Sequence, residues 1–226
     1  MRTFGCALAV ALLLATALPA AEPAPAKPAP PAPVRVAILL YDGVQVLDVA
    51  GPLEVFTGAR DLHGGGAAFD VYLVAERAEP ITSNNTGKVY VPRYTLPDMP
   101  APQILIVPGG DTRAAEANPA LIEAIRGWSG KTELTASVCT GAFLLAKAGL
   151  LSGKPATTHW YFLDRLKKEY PGVDVQRDTR FVDAGKIMTS AGISAGIDMS
   201  LKIVERYLGQ EAADMTARVM QYECRR

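Results

Sequence analysis

Residues 133–153 read ELTASVCTGAFLLAKAGLLSG and hold the strand-to-helix unit from which the fold can be worked out. The apolar run Glu133–Val138 predicts a short buried strand. The small-residue-rich run Thr140–Leu151 predicts a helix that stops at Gly153. Cys139 stands between them, so we predict a sharp, elbow-like turn that projects this thiol from the end of a strand.

The same order of strand, turn and helix continues outward. The apolar runs Val34–Tyr41, Phe69–Ala75 and Ile104–Val107 are typical of strands buried on both faces of a parallel sheet. Asp48–Leu62 and Pro119–Trp128 show helical patterns. This alternation indicates an α/β fold with a mostly parallel sheet covered by helices on both faces. The remaining predicted elements are a hairpin within 80–97, a helix over Trp160–Tyr170, short strands near Val173–Val175, Phe181–Asp183 and Ile187–Thr189, and two closing helices.

The N-terminal segment differs in composition from the rest of the chain. Residues 1–21 combine Arg2, an apolar run over 6–18 and small residues, the pattern of a secretory signal peptide. A membrane anchor is the alternative, but the run is shorter than a spanning helix needs. Residues 22–33 alternate Ala and Pro and predict an extended spacer. We expect export to the periplasm or the exterior, no stable membrane insertion after cleavage, and one domain over 34–226.

The charge balance argues against a nucleic-acid partner. Lys and Arg total 23 and Asp and Glu total 23, so no net field attracts phosphate backbones. The chain has two histidines, and only Cys139 and Cys224 remain after the predicted cleavage. These residues are too few for a zinc cluster or a disulfide scaffold, so we expect no metal site.

The position of Cys139 admits three interpretations. A helix N-terminus beneath the thiol stabilises negative charge and favours the thiolate. Alternatively, Cys139 is a small buried apolar residue, a common fate of reduced cysteines. In an oxidising compartment, pairing with Cys224 is the third possibility.

Two further turns are predicted at the same edge of the sheet. Pro108-Gly109-Gly110 follows a buried strand, and the amides of Gly110 and Thr140 would stabilise a developing negative charge if the two strands are neighbours. An ordinary tight loop is the alternative. Asp48 is either a helix N-cap or an acid within reach of Cys139. In the second case, burial and a nearby thiolate raise its pKa and leave a protonated acid that donates to sulfur.

His159 is the remaining candidate for chemistry. It stands beside Trp160, and a lone histidine in that setting is either a packed or capping residue or a base. The sequence pattern leaves both interpretations open.

Four separated motifs carry a resemblance to a known family. LDVAGP (47–52), VPGG (107–110), SVCTGAFLLAKAGLLSGKPATTHW (137–160) and SAGISAGID (190–198) together resemble the ThiJ/PfpI superfamily. Within it they are most similar to the isonitrile hydratases and to the sensor domains of AraC-type regulators. The resemblance implies a flavodoxin-like, three-layer α/β/α sandwich, the class I glutamine amidotransferase-like fold.

The resemblance also implies roles for individual residues. They are Cys139 as nucleophile, Asp48 as its acidic partner, Thr140 as the following residue that helps define the hydratase-like branch, Gly110 and Thr140 as amide donors of an anion pocket, and His159 and Gly109 as accessory positions. The chain departs from the peptidases, which have His directly after the cysteine, and from the glutaminases, which use a downstream His-x-Glu. A full hydrolytic triad is therefore disfavoured.

The function that the resemblance implies is a cysteine-dependent, cofactor-independent hydratase or lyase that acts on a small electrophilic molecule such as an isonitrile. One alternative is a glyoxalase-like, aldehyde-detoxifying enzyme. Another is a non-catalytic periplasmic ligand-binding domain or cysteine redox sensor. The helix-turn-helix region of the regulators is absent from the sequence, so we expect no transcriptional role. By analogy with the family we expect a homodimer.

Overall fold

The computed structural model describes residues 32–62, 66–84 and 87–224. The predicted signal segment 1–21 and residues 22–31 of the predicted spacer lie outside these residues, as does His63. Within the described part of the chain, no helix is both long enough and apolar enough to cross a lipid bilayer.

A seven-stranded sheet forms the centre of the described structure. In chain order the strands of the described residues are β1 (Val34–Leu39), β2 (Phe69–Ala75), β3 (Ile81–Ser83), β4 (Gly87–Tyr90), β5 (Tyr94–Thr95), β6 (Ile104–Val107), β7 (Leu134–Val138), β8 (Pro155–Ala156), β9 (Asp174–Val175), β10 (Phe181–Ala184) and β11 (Ile187–Ser190). The central sheet has the order β10-β11-β7-β6-β1-β2-β5. Its neighbouring strands pair in parallel except β10 with β11, so the predicted mostly parallel sheet is confirmed. The pairs β3-β4 and β8-β9 lie outside the central sheet.

Helices cover the sheet in two layers. The α-helices are α1 (Val46–Gly58), α2 (Arg113–Glu116), α3 (Pro119–Lys131), α4 (Gly141–Lys147), α5 (Leu163–Glu169), α6 (Ala195–Leu208) and α7 (Gln210–Val219), with a 3₁₀-helix at Trp160–Phe162. The helices α1, α6 and α7 pack against one another, and α2, α3 and α4 form a second group. The result is the flavodoxin-like α/β/α arrangement that the family resemblance implies.

Two adjacent strands near the middle of the sheet are buried along their whole length. Every residue of β6 and of β7 is buried. Burial on both faces explains why Ile104–Val107 is a continuous apolar run rather than an alternating one. Each fully buried aliphatic side chain contributes about 1.5–3 kcal/mol. These strands therefore hold the ends of their loops at fixed positions.

Helix boundaries differ from the prediction in four places. Helix α3 runs on to Lys131 instead of ending at Trp128. Helix α1 begins at Val46 with Gln45 as N-cap, so Asp48 lies inside the first turn and the N-cap interpretation of Asp48 is wrong. Helix α4 ends at Lys147, although the apolar run continues to Leu151. The predicted helix over 160–170 is divided into the 3₁₀-helix and α5.

The loops at the carboxyl ends of β1, β6, β7 and β11 meet at one edge of the sheet. Ligands of open parallel sheets bind at this edge, because the loops and the helix N-termini meet there. The predicted site residues lie in or next to these loops.

Candidate active site

Cys139 occupies a strained turn between β7 and α4. Its φ is +55°, in the left-handed region that non-glycine residues rarely adopt. Hydrogen bonds hold both the amide and the carbonyl of Cys139. The Cys139 amide donates to the carbonyls of Ser190 and Ala191 at 3.2 Å each, and the Thr158 hydroxyl donates to the Cys139 carbonyl at 2.8 Å. Such strain persists only where the surroundings determine it, and it is typical of functional sites.

The turn after β6 contacts the Cys139 turn directly. A Cβ atom on Gly109 would lie 2.5 Å from the Thr140 nitrogen and 2.8 Å from Asp48 Oδ2. The Gly109 amide donates to Asp48 Oδ2 at 3.0 Å, and the Tyr41 hydroxyl donates to the Pro108 carbonyl at 2.8 Å. Glycine is required at 109 because any larger residue would separate the carboxyl from the cysteine turn.

The amide of Gly110 is not available to an anion in the cleft. It donates to Thr140 Oγ1 at 2.8 Å, and the same hydroxyl donates to the Gly110 carbonyl at 2.9 Å. The predicted pairing of the Gly110 and Thr140 amides is therefore wrong for Gly110. The physical reason is that the side chain after the cysteine is a threonine, whose hydroxyl reaches the neighbouring turn and pairs with that amide.

The donors around the sulfur come instead from the Thr140 and Ile193 backbones. Hydrogen bonding by both amides, and by the Thr140 side chain, lowers the pKa of the Cys139 thiol in part. Ile193 lies in the SAGISAGID motif, to which sequence reasoning gave no role, and its φ of +45° marks a second strained residue. Residue type gives no signal here, because the contact is made by backbone.

The pKa of the Cys139 thiol is raised rather than lowered. Burial, with 5% of the residue exposed, is the largest cause, and the nearby Asp48 charge is the second; together they raise the pKa to about 12. The N-terminus of α4 therefore does not by itself lower the pKa of this thiol, and the charge state of the sulfur depends on where the shared proton of the Asp48–Cys139 pair resides. Desolvation outweighs the amide donors at this depth.

Asp48 is a buried acid with an incomplete set of partners. Burial raises its pKa to about 7, although the Gly109 amide and the Cys139 thiol lower it in part. Its side chain has no exposed surface, and Oδ1 has no hydrogen-bond partner of ordinary geometry. The expected rise in the pKa of Asp48 is confirmed in direction, with burial as its main cause.

The thiol and the carboxyl of this pair titrate together. Above a pH of about 7 the Asp48–Cys139 pair has lost one of its two protons. Thiol with carboxylate and thiolate with carboxylic acid are then tautomers that carry the same charge. Two amides face the sulfur, whereas Asp48 Oδ1 has no donor. Moving one proton to the carboxyl therefore places the charge where donors stabilise it.

His159 has a capping role. Its Nδ1 accepts the Tyr161 amide at 3.3 Å, so the proton of the neutral ring is on Nε2. A Cβ atom on Gly192 would lie 2.1 Å from His159 Cδ2, so the ring packs tightly on that residue. Burial also lowers its pKa. In this state His159 has no nitrogen lone pair with which to act as a base toward the cleft.

A cleft of about 470 Å³ lies above Cys139. Charged side chains on its wall are already paired: Arg165 with Glu116 at 2.9 Å, and Arg113 with Asp111 at 2.6 Å. The cleft therefore fits a small molecule of low charge. Its lining residues are Gln45, Asn84, Gly110, Asp111, Thr112, Arg113, Cys139, Thr140, His159, Phe162, Arg165 and Ile193.

Two other possibilities for the cysteines can be checked in the described residues. Cys139 and Cys224 are not joined by a disulfide, and Cys224 lines a separate small cavity beside Asp198. Among the residues the structure describes, no group of three or more His, Cys, Asp or Glu side chains is placed to hold a metal ion.

A doubly wound α/β fold with a strained cysteine and a buried acid at the carboxyl edge of its sheet defines a class of thiol-bearing α/β proteins. The sequence pattern of the DJ-1/PfpI family matches residues 34–206. The chain therefore belongs to the DJ-1/PfpI family.

Individual relatives sharpen this assignment. Isonitrile hydratase of Pseudomonas putida is 34% identical over 194 residues, covering 84% of this chain and 78% of the hydratase. The transcriptional regulator CdhR of Pseudomonas aeruginosa is 27% identical, and the match covers 77% of this chain but 51% of the regulator. The crystal structure of a ThiJ/PfpI family protein from Pseudomonas syringae superposes with a TM-score of 0.76 at 29% identity, covering 86% of this chain and 77% of that one. The predicted resemblance is confirmed.

Proposed function

We propose that this protein is a cysteine-dependent hydratase of small electrophiles, of the isonitrile hydratase type. The observation that carries the proposal is the buried Asp48 carboxyl, with a pKa of about 7, next to the Cys139 thiol. A pKa near neutrality suits a group that must both give and take a proton in each cycle. The 34% identical hydratase relative supports the reaction class.

The proposed cycle begins with Cys139 as thiolate and Asp48 protonated. The sulfur attacks the terminal carbon of R–NC while Asp48 gives its proton to that carbon, which forms a C–S bond and a thioimidate. Water then adds to the same carbon. Asp48 accepts a proton from the water and passes it to nitrogen.

The cycle closes when the new hydroxyl returns its proton to Asp48 and the C–S bond breaks. The products are R–NH–CHO and the thiolate, so one water is consumed and no electrons are transferred. The Thr140 and Ile193 amides stabilise the charge on sulfur at both ends of the cycle. No cofactor takes part in this scheme.

Formamide production from an aryl isonitrile tests the proposal. We expect turnover by the purified chain, loss of turnover in Cys139→Ala, and near-normal turnover in the matched control Cys224→Ala. Absence of turnover in the unaltered chain, or turnover that survives Cys139→Ala, contradicts the hydratase assignment.

A sensing role is the second candidate, because a regulator is among the relatives that match this domain. Mild peroxide followed by intact-protein mass separates the two functions. Stoichiometric oxygen addition at Cys139 without isonitrile turnover favours sensing. For a glyoxalase, methylglyoxal consumption that depends on Cys139 replaces isonitrile turnover.

Export and dimer formation remain part of the proposal. The apolar segment 1–21 supports export, and cell fractionation with a tagged full-length chain tests it. Analytical ultracentrifugation of the purified domain tests the homodimer.

A further inference from the structure

A second buried carboxylate lies behind the loop that follows β11. Asp198, in the first turn of α6, has a fully buried side chain. Arg180 donates from Nε to Asp198 Oδ2 at 2.7 Å and contacts the same oxygen through Nη2. The Tyr222 hydroxyl donates to Asp198 Oδ1 at 3.1 Å. Both oxygens of this carboxylate are therefore engaged, one by a guanidinium and one by a phenol.

The same arginine holds the loop between β11 and α6 at two points. The Arg180 carbonyl accepts the Ala191 amide at 2.9 Å, and Arg180 Nη2 donates to Ser194 Oγ at 3.3 Å. These points lie on either side of Ile193. The Ala191 carbonyl in turn accepts the Cys139 amide at 3.2 Å. The backbone of Arg180 is thus connected through one residue, Ala191, to the backbone of the reactive cysteine, and the Arg180 side chain adds the contact with Ser194.

Ile193 needs such support because its conformation is unfavourable. A φ of +45° is an outlier for a β-branched residue, and it costs free energy that the surroundings must supply. Close packing of His159 against Gly192 blocks movement of the loop in that direction. The other side of the loop is held by the Arg180 contacts.

We propose that Arg180, oriented by Asp198 and Tyr222, is a positioning residue that holds the Ile193 amide against the sulfur of Cys139. The inference deepens the proposed function, since it assumes that Cys139 is the reactive group. Arg180 does not line the cleft and touches no substrate in this proposal. Its effect on reactivity passes through the backbone of residues 191–194.

A matched control is available at the other end of β10. Arg206 of α6 pairs with Asp183 of β10, and its Nη1 donates to the Gly185 carbonyl at 2.8 Å. The side chains of Arg206 and Arg180 are similarly exposed, at 32% and 31%. The contacts of Arg206 lie at the far end of β10, away from 191–194. Arg206→Ala therefore removes the ion pair of a similarly exposed arginine without touching the loop.

The rate of alkylation of Cys139 by iodoacetamide, measured by peptide mass spectrometry to separate Cys139 from Cys224, tests the inference. We expect Arg180→Ala to slow the reaction roughly tenfold at pH 8, the change that raising the thiol pKa by about one would produce. Arg180→Lys should recover part of the rate, and Arg206→Ala should react like the unaltered protein. The rise in rate near pH 7, which belongs to Asp48, should stay in place in all three variants.

If Arg180 only stabilised the fold, Arg180→Ala would speed the alkylation of Cys139 instead of slowing it. A loosened loop would expose a thiol that is now buried and would speed alkylation. An unchanged or faster rate in folded Arg180→Ala overturns the inference, as does equal slowing in Arg206→Ala. If Arg180→Ala does not fold, Tyr222→Phe decides: we expect two- to threefold slowing, and an unaltered rate overturns the inference. Alkylation needs no substrate. Absence of isonitrile turnover would therefore contradict the proposed function, while the alkylation rates of the variants could still be compared.

Discussion

Two buried aspartates of this chain occupy equivalent places and have opposite surroundings. Asp48 and Asp198 both lie in the first turn of a helix, and both have fully buried side chains. The helices that carry them, α1 and α6, pack against each other. Asp198 is held by a guanidinium and a phenol, whereas Asp48 has one backbone amide and the Cys139 thiol.

The comparison shows that burial has a different consequence for each of the two carboxyl groups. A buried carboxyl group that has partners on both oxygens has its desolvation cost offset and serves structure. A carboxylate that is buried with an oxygen left without a partner is easily protonated, which makes it useful in proton transfer. Asp48 is thus the acid suited to chemistry, although both acids are equally hidden from solvent.

The largest expected effect is the loss of isonitrile turnover when Asp48 is replaced. Asp48→Asn should lower the turnover of an aryl isonitrile by roughly 100- to 10,000-fold, because the amide cannot carry the proton between water, substrate and sulfur. Steady-state kinetics at pH 7.5 measure this loss. If Asp48→Asn keeps more than a tenth of the turnover, Asp48 is not the proton carrier.

The same substitution should make the protein more stable. The folded-state pKa of about 7 lies above the ordinary aspartate value of 3.8, so folding favours the protonated form. The unaltered protein therefore loses stability as pH rises from about 4 to 7, and Asp48→Asn avoids that cost, by about 3–4 kcal/mol at pH 8. Urea unfolding of both proteins at pH 4.5 and 8 measures it. A gain of equal size at both pH values would contradict the raised pKa.

Substitution of Asp198 should have the opposite effect on the free energy of unfolding. Asp198→Asn leaves Arg180 without its counter-ion, so we expect destabilisation by about 2–3 kcal/mol, less than for a fully buried pair because the arginine is partly exposed. Urea unfolding at pH 8 is again the measurement. Stability equal to that of the unaltered protein would show that the phenol and the guanidinium do not need the charge.

The smallest expected effect concerns His159. His159→Asn keeps a side chain that can cap the 3₁₀-helix, so we expect isonitrile turnover within about threefold of the unaltered protein. Steady-state kinetics over pH 6–9 test this expectation. A loss of turnover as large as that of Asp48→Asn would make the histidine a member of the reactive group.

The fold was accessible from sequence because its strands are continuous apolar runs. Phe69–Ala75 and Ile104–Val107 match β2 and β6 residue for residue. Helix ends were less accessible. The apolar run after Cys139 continues past the end of α4 because Leu151 is also fully buried, so hydrophobicity alone cannot mark where the helix stops.

The candidate site was only partly predictable for a related reason. The sequence placed Cys139 and Asp48 at the same edge of the sheet, but it gave the wrong direction for the pKa of the thiol. It also assigned an anion-binding role to the Gly110 amide, which pairs with Thr140 Oγ1, and it gave no role to the Ile193 amide. Each of these outcomes depends on contacts between distant parts of the chain.

The sequence by itself determined the order of strands and helices, the positions of the turns and the type of residue in each turn, because these depend on neighbouring residues along the chain. The tertiary structure decided which acid is paired, how deeply the thiol is buried and which amides reach it. Desolvation and hydrogen bonding act between residues brought together only by folding, and they determine where the proton of the Asp48–Cys139 pair resides.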